Sequence, residues 1–167
     1  MSEEIAGEAV RLRPVQHDVA RELLEGRMPE GIAFAGGYPS AYSIEVMDLL
    51  AGPRSDGRDS FHPWFVVRAR DDVVIGEIGY SFEVASGTAS IGYALVGACW
   101  GRGHATDALR ALIEHLRGDP RIKRLSAQTP AGHVASRRVM EKAGMRLADE
   151  RLGDVDGELV QMAIYEA

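Results

Sequence analysis

The stretch from Thr88 to Met145 constrains this chain most. An alternating apolar run, Ala89 to Val96, leads into the glycine-basic turn Trp100-Gly101-Arg102-Gly103-His104-Ala105. Directly after it, Ala105, Ala108, Leu109, Leu112, Ile113 and Leu116 fall at helical spacing. A strand that delivers a glycine-rich turn to a helix N-terminus is an anion site. The first helical N–H groups have no intrahelical partner, the helix dipole favours negative charge there, and glycines let a phosphate approach the backbone. The charges agree: from Val84 to Thr106 there is no Asp or Glu, although the formal net charge of the chain is −6. The turn suits a phosphate-bearing ligand.

Two familiar phosphate motifs fail on spacing. A P-loop needs four residues between its glycines and then Gly-Lys-Ser/Thr, which nothing here supplies. The dinucleotide fingerprint needs a third glycine where Thr106 stands, and it usually opens a chain rather than following about a hundred residues.

The segment resembles motif A of the GNAT N-acetyltransferase superfamily, Gln/Arg-x-x-Gly-x-Gly/Ala. Gly103 and Ala105 match, and Trp100 replaces the usual Gln or Arg. Ile91-Gly92-Tyr93 and the Trp-Gly-Arg-Gly form resemble the branch typified by the ribosomal-protein acetyltransferases RimJ and RimL. A second block, His133 to Met145, is similar to that branch's Asn-x-x-Ser-x-x-x-x-Glu-Lys-x-Gly-Phe, with His133 for Asn and Met145 for Phe. Val10-Arg11-Leu12-Arg13-Pro14 and Gly157-Glu158-Leu159-Val160 resemble the branch's two ends. The resemblance is weakest from Gly26 to Pro63.

At 167 residues, 46% hydrophobic, the chain is expected to form one domain over 1–167 with a substantial core. Its single cysteine, Cys99, cannot form an internal disulfide, which suits a reducing cytoplasm. No apolar run approaches the ~20 residues of a membrane span. The acidic balance argues against nucleic acid as a partner. The five histidines do not cluster with acids or cysteines, so no metal site is expected.

Periodicity predicts strands at Ala9–Pro14, Trp64–Ala69, Val73–Phe82, Ala89–Val96, Leu125–Thr129, Met145–Leu152 and Leu159–Tyr165. It predicts helices at Gln16–Glu25, Ala41–Leu50, from motif A to Gly118, and at Val134–Ala143. Gly26 to Ser40 reads as irregular and Gly52 to Asp59 as a polar loop. The expected fold is α/β (α+β): a mixed, mostly antiparallel twisted sheet of six to seven strands with helices on both faces, which is also the GNAT fold.

The resemblance then implies roles. Acetyl-CoA would be the acetyl donor, its pantetheine arm running along the end of a strand that diverges from its neighbour. Leu95 and Val96 would supply backbone hydrogen bonds there, one N–H facing the thioester oxygen. The pyrophosphate would lie on Gly101, Arg102, Gly103, His104, Ala105 and Thr106, beside Trp100. A basic, acid-free window from Pro120 to Met140 (Arg121, Lys123, Arg124, Arg137, Arg138) would meet the 3′-phosphate end. Many relatives protonate the leaving thiolate with a Tyr where this chain has Met140. Relatives resembling RimL carry a Ser at Ser136, which makes Ser136 the candidate acid. His133, in place of an Asn that helps hold the cofactor, can serve as acid, base or contact. The branch often has a Glu where Ser90 stands; of Glu77 and Glu83, which the period of two sets on one side of their strand, Glu77 in mid-strand is the candidate base, with a water chain as the other route. Tyr38, Tyr42, Tyr80 and Tyr93 are expected to line the acceptor cleft. The function implied is acetyl-CoA-dependent transfer to a primary amine, either a protein N-terminus or a small molecule, by a cytoplasmic monomer or homodimer. A non-catalytic acyl-CoA-sensing module is the other reading.

Overall fold

The alternating apolar runs become strands of one open, mixed sheet. The computed structural model describes residues 3–51 and 61–167. In order, the elements are β1 (Ile5–Ala6), β2 (Val10–Pro14), α1 (His17–Leu24), β3 (Ala33–Phe34), α2 (Ala41–Ala51), β4 (Phe61–Arg68), β5 (Val73–Glu83) and β6 (Thr88–Leu95). A short 3₁₀ turn (Gly97–Cys99) leads on to α3 (His104–Arg117), β7 (Arg124–Pro130), α4 (Val134–Lys142), β8 (Arg146–Val155) and β9 (Glu158–Glu166). The loop expected at Gly52–Asp59 lies outside the described residues.

The strands lie in the order β1-β2-β4-β5-β6-β7-β9-β8, with β3 added in parallel on β5. Along the main path only β6 and β7 run parallel, because α3 carries the chain back between them, as a parallel crossover requires. The sheet is mixed and mostly antiparallel, as expected. Among the described residues it has nine strands rather than six or seven, because β1 and β3 are dipeptides too short to show a period. β3 falls in the Gly26–Ser40 stretch that reads as irregular; there Ala33 and Phe34 pair with Val73 and Val74.

Helices cover both faces. On one face α2 reaches β5 through Ser43 and Glu77, and α1 packs on α2. On the other, Trp64 meets His115 of α3 edge-on at 6.3 Å, and α3 touches α4. The helical stripe of α3 does what its spacing foretold: Ala108, Leu109, Leu112, Ile113 and Leu116 are all buried. Truncating a core leucine such as Leu112 to Ala would cost about 2–5 kcal/mol.

One feature of the register builds the site. β6 and β7 pair only from Thr88↔Arg124 to Ile91↔Ala127. Beyond that point β6 continues to Leu95 on β5, while β7 continues to Pro130 on β9. The two strands part, and the sheet opens between them.

Candidate active site

The backbone of β6 beyond Ile91 is exposed to that gap. Val96 N–H is committed to Ile75 O at 2.9 Å, so strand alternation turns the backbone groups of Leu95 and Tyr93 to the open side. This corrects the expectation for Val96: its amide is spent and its side chain is buried. Leu95 remains, but its carbonyl accepts the indole N–H of Trp100 at 2.7 Å. Trp100 is otherwise exposed, at 67%. The side chain of Tyr93 crosses to α4, its hydroxyl 3.2 Å from both the carbonyl oxygen and Oγ of Ser136.

The turn that follows keeps α3 uncapped. Gly101 and Gly103 take φ of 73° and 81°, a left-handed backbone that glycine adopts without the Cβ penalty. Gly103 is the N-cap, and no side chain caps the helix. The first helical hydrogen bond runs from Asp107 N–H to Gly103 O, which leaves the N–H groups of His104, Ala105 and Thr106 without an intrahelical acceptor. Asp107 closes the acid-free run, and an anion in the first turn would compete for those groups. Its carboxylate instead accepts the amides of Glu8, Ala9 and Val10 at 3.0, 2.7 and 3.0 Å.

The gap, the turn and α4 enclose a cavity of about 390 Å³. Tyr93 and Leu95 line it from β6, and Trp100 through Thr106 from the turn. His133, Ser136 and Arg138 face it from the α4 side. The structure thus brings together most of the expected residues. Lys142, Cys99, Ala135 and Val139 line it as well. Of these, Lys142 was legible, because it follows Arg138 by four residues, one helical turn.

The charges sort cleanly. Among the described residues, Arg102, Arg138 and Lys142 form no ion pair and all border the cavity. In the rest of the Pro120–Met140 window, Lys123 lies beside Gly87 and does not border the cavity, and three arginines are occupied elsewhere. Arg121 pairs with Asp119 and Arg124 with Glu166. Arg137 binds Glu150, the Tyr165 hydroxyl and Ala131 O. His104 is held below the usual histidine range by burial first, then by Arg68, Arg102 and Arg70. Its Nδ1 is buried and lacks a partner among the described residues. His133 precedes α4 as its N-cap, its ring 3.4 Å from Thr129 Oγ1. Met140, which stands where many relatives carry a Tyr, turns into the core at 2% exposure.

Glu77 lies elsewhere. It sits on the α2 face of β5, 1% exposed, and does not border the cavity. Ser43 donates to its Oε2 at 3.0 Å, and Ser40 backs Ser43 at 3.0 Å. Burial pushes its carboxyl up to about 7, with Tyr38 and Ser43 pulling the other way. Tyr38 helps hold the charge, yet its geometry falls short of a full hydrogen bond: Tyr38 Oη and Glu77 Oε1 both lack a partner among the described residues. Burial, then Glu77, raises the Tyr38 and Tyr42 hydroxyls further. The Tyr42 hydroxyl rests over Gly92, 2.8 Å from where a Cβ would stand, so glycine there admits the phenol onto β6. Tyr80 stacks on His62 and Trp64 at 5.0 and 5.9 Å, buried on the α3 face and away from Glu77.

Residues 9–146 match the acetyltransferase (GNAT) domain. Over 90 residues the chain is 32% identical to the probable N-acetyltransferase YjcK of Bacillus subtilis, which covers 52% of this chain and 49% of that protein. The chain therefore matches about half the length of that relative. RimL, the ribosomal L7/L12 alpha-N-protein acetyltransferase solved with coenzyme A, aligns with a TM-score of 0.73 at 16% identity, over 99% of this chain and 97% of that one. The microcin C7 self-immunity acetyltransferase MccE, solved with acetyl-CoA and AMP, aligns with a TM-score of 0.68 at 18% identity, over 96% and 92%. At such identities the likeness is one of fold.

Proposed function

The chain belongs to the GNAT acetyltransferase family, and from that premise we propose that it moves an acetyl group from acetyl-CoA to a primary amine by direct attack in a ternary complex. One observation carries the reading: an uncapped helix N-terminus, three cations without ion-pair partners among the described residues and a parted strand edge share a single cavity. Free N–H groups and cations suit phosphates, and a free strand edge suits an extended amide chain.

In this reading the N–H groups of His104, Ala105 and Thr106, with Arg102, hold the pyrophosphate. Arg138 and Lys142 meet the 3′-phosphate end, and His133 contacts the donor. Leu95 steers the pantetheine arm, and a backbone N–H of β6 faces the thioester oxygen, where donors aimed at developing charge lower the barrier. The bound donor supplies an activated acyl carbon and a thiol leaving group. Ser136 delivers a proton to that leaving group. An amine of pKa ~10 must first lose a proton, and Glu77, poised near neutrality, takes it across β6 through water. Tyr38 and Tyr42, which flank Glu77, order the acceptor on that side. RimL's action on a protein N-terminus favours an acceptor of that kind. The 167 residues work as one domain, in the cytoplasm; no helix among the described residues is long and apolar enough to cross a membrane.

The test is thiol release from acetyl-CoA against a panel of N-terminal peptides, polyamines and amine antibiotics, with the acetylated product identified by mass. Amine-dependent release is expected, fastest with peptides. Tight CoA binding without release for any amine would make the chain a sensing module instead.

A further inference from the structure

Tyr93 is a polar group in the cavity whose task the reading above leaves open. Its ring leaves β6 toward α4, and its hydroxyl sits 3.2 Å from Ser136 Oγ and 3.2 Å from Ser136 O. Both residues line the cavity. Ser136 alone is a poor source of protons. An aliphatic hydroxyl holds its proton about as tightly as water, with a pKa of ~15.7, while a thiol lies at ~8.5. A phenol, at ~10, lies far closer to the thiol.

We propose that Ser136 and Tyr93 form a two-step proton relay, in which Tyr93 supplies the proton that Ser136 passes to the departing sulfur. The proposal rests on the acetyl-transfer reading. Tyr93 is then a positioning residue that acts through Ser136. Its hydroxyl has one hydrogen and two acceptors within reach. Bonded to the Ser136 carbonyl, it lets Ser136 point its own hydrogen at the phenol oxygen. Bonded to Ser136 Oγ, it frees the Ser136 hydrogen for the cavity. Only the second arrangement is productive, and a sulfur gaining negative charge favours it.

The step balances. The amine nitrogen forms the new C–N bond, and the C–S bond breaks with its electron pair on sulfur. The Ser136 O–H breaks as S–H forms, while the Tyr93 O–H breaks as a new O–H forms on Ser136. The phenolate regains its proton from water, which receives the one released by the amine nitrogen. Burial raises the Tyr93 hydroxyl, with Ser136 pulling partly back, so the phenol is fully protonated at neutral pH. The His133 ring is turned to Thr129 Oγ1, 3.4 Å away.

The experiment compares wild type, Tyr93→Phe, Ser136→Ala and the double variant by kcat, by CoA affinity in calorimetry and by the proton inventory of kcat in H2O–D2O mixtures. A relay predicts a loss of about 10²-fold in kcat for Tyr93→Phe, unchanged CoA affinity, and a double variant no slower than the slower single one. The wild-type inventory should curve, with two protons in flight, and become linear in Tyr93→Phe. Wild-type kcat in Tyr93→Phe, losses that multiply, a linear wild-type inventory or weakened CoA binding each overturn the relay alone. If wild type releases no thiol with any amine, the acetyl-transfer reading falls and the relay with it. Should Tyr93→Phe fail to fold, 3-fluorotyrosine at position 93 decides: kcat follows phenol acidity in a relay and stays put if the ring only packs.

Discussion

The two faces of β6 handle charge in opposite ways. On the α3–α4 face, backbone N–H groups at the start of α3 lack acceptors and Arg102, Arg138 and Lys142 lack ion-pair partners among the described residues. That side is complete only when an anion arrives. On the α2 face, Glu77 is closed in by Ser43 and the tyrosines and sits near neutrality. That side keeps its charge small by holding a proton. The first face attracts a ligand with fixed positive charge, where strength comes from satisfying what the fold leaves open. The second prepares a change of protonation, which needs a group held between states.

The largest effect should come from spoiling the open face. Gly103 has left-handed φ, and a Cβ there meets no atom within 4 Å. Gly103→Glu would therefore add strain of only about 1–2 kcal/mol but set a carboxylate where phosphate belongs. CoA affinity should fall on the order of 10²-fold, about 2.7 kcal/mol, in calorimetry, while Gly103→Ala keeps most of it. Equal losses in both variants would make the glycine a matter of backbone shape alone.

Next, the closed face carries a pH signature. Burial raises the Glu77 carboxyl to about 7 from the ordinary 4.5, so the folded state binds its proton more tightly than the unfolded chain does. The stability this brings is present below about 4.5 and is lost as pH rises through about 7. Glu77→Gln removes that slope. Relative to wild type it should gain on the order of 1–3 kcal/mol between pH 5 and pH 8 in urea unfolding. As a base Glu77 must be deprotonated, so kcat/KM for the amine should rise with pH through about 7 and lose that limb in Glu77→Gln. A parallel pair of stability curves would mean that Glu77 is charged in the fold throughout.

The smallest effect concerns the boundary. The Trp100 indole occupies the Leu95 carbonyl, an acceptor that an extended amide would use. Trp100→Phe frees it, and since a hydrogen bond nets ~0.5–1.5 kcal/mol, CoA should bind a few-fold more tightly. Stability should hardly move, because the ring is mostly exposed. Weaker binding would mean that the indole itself contacts the donor.

Legibility in the sequence followed the same divide. The open face is local: a strand, two glycines and a helix in one continuous run, where period, turn chemistry and absent acids all point one way. The closed face is assembled from segments far apart, since Ser43 and Glu77 meet only through the packing of α2 on β5. A period of two set Glu77 on one side of its strand but not beneath which helix. Arg137 and Arg138 make the point within one helix. They are neighbours in sequence, yet one binds Glu150 and Tyr165 while the other borders the cavity. Residues one apart on a helix lie on different faces, and composition cannot say how a helix is rotated. Trp100 was legible as a departure from the motif, but its bond to Leu95 depends on the path of the 3₁₀ turn.

The seat of Asp107 has a consequence for the order in which the protein is made. Its carboxylate takes three amides that lie 97 to 99 residues earlier, and a side chain at Gly7 would stand 2.8 Å from its Oδ2. At ~5–20 residues per second of synthesis, the β1–β2 turn therefore waits roughly 5–20 s for the group that completes it. Until α3 is made, those amides have only water. Until they close on it, the Asp107 carboxylate has nothing to hold it away from the phosphate turn. The β1–β2 turn docks late, and the anion site is finished by residues made well before it.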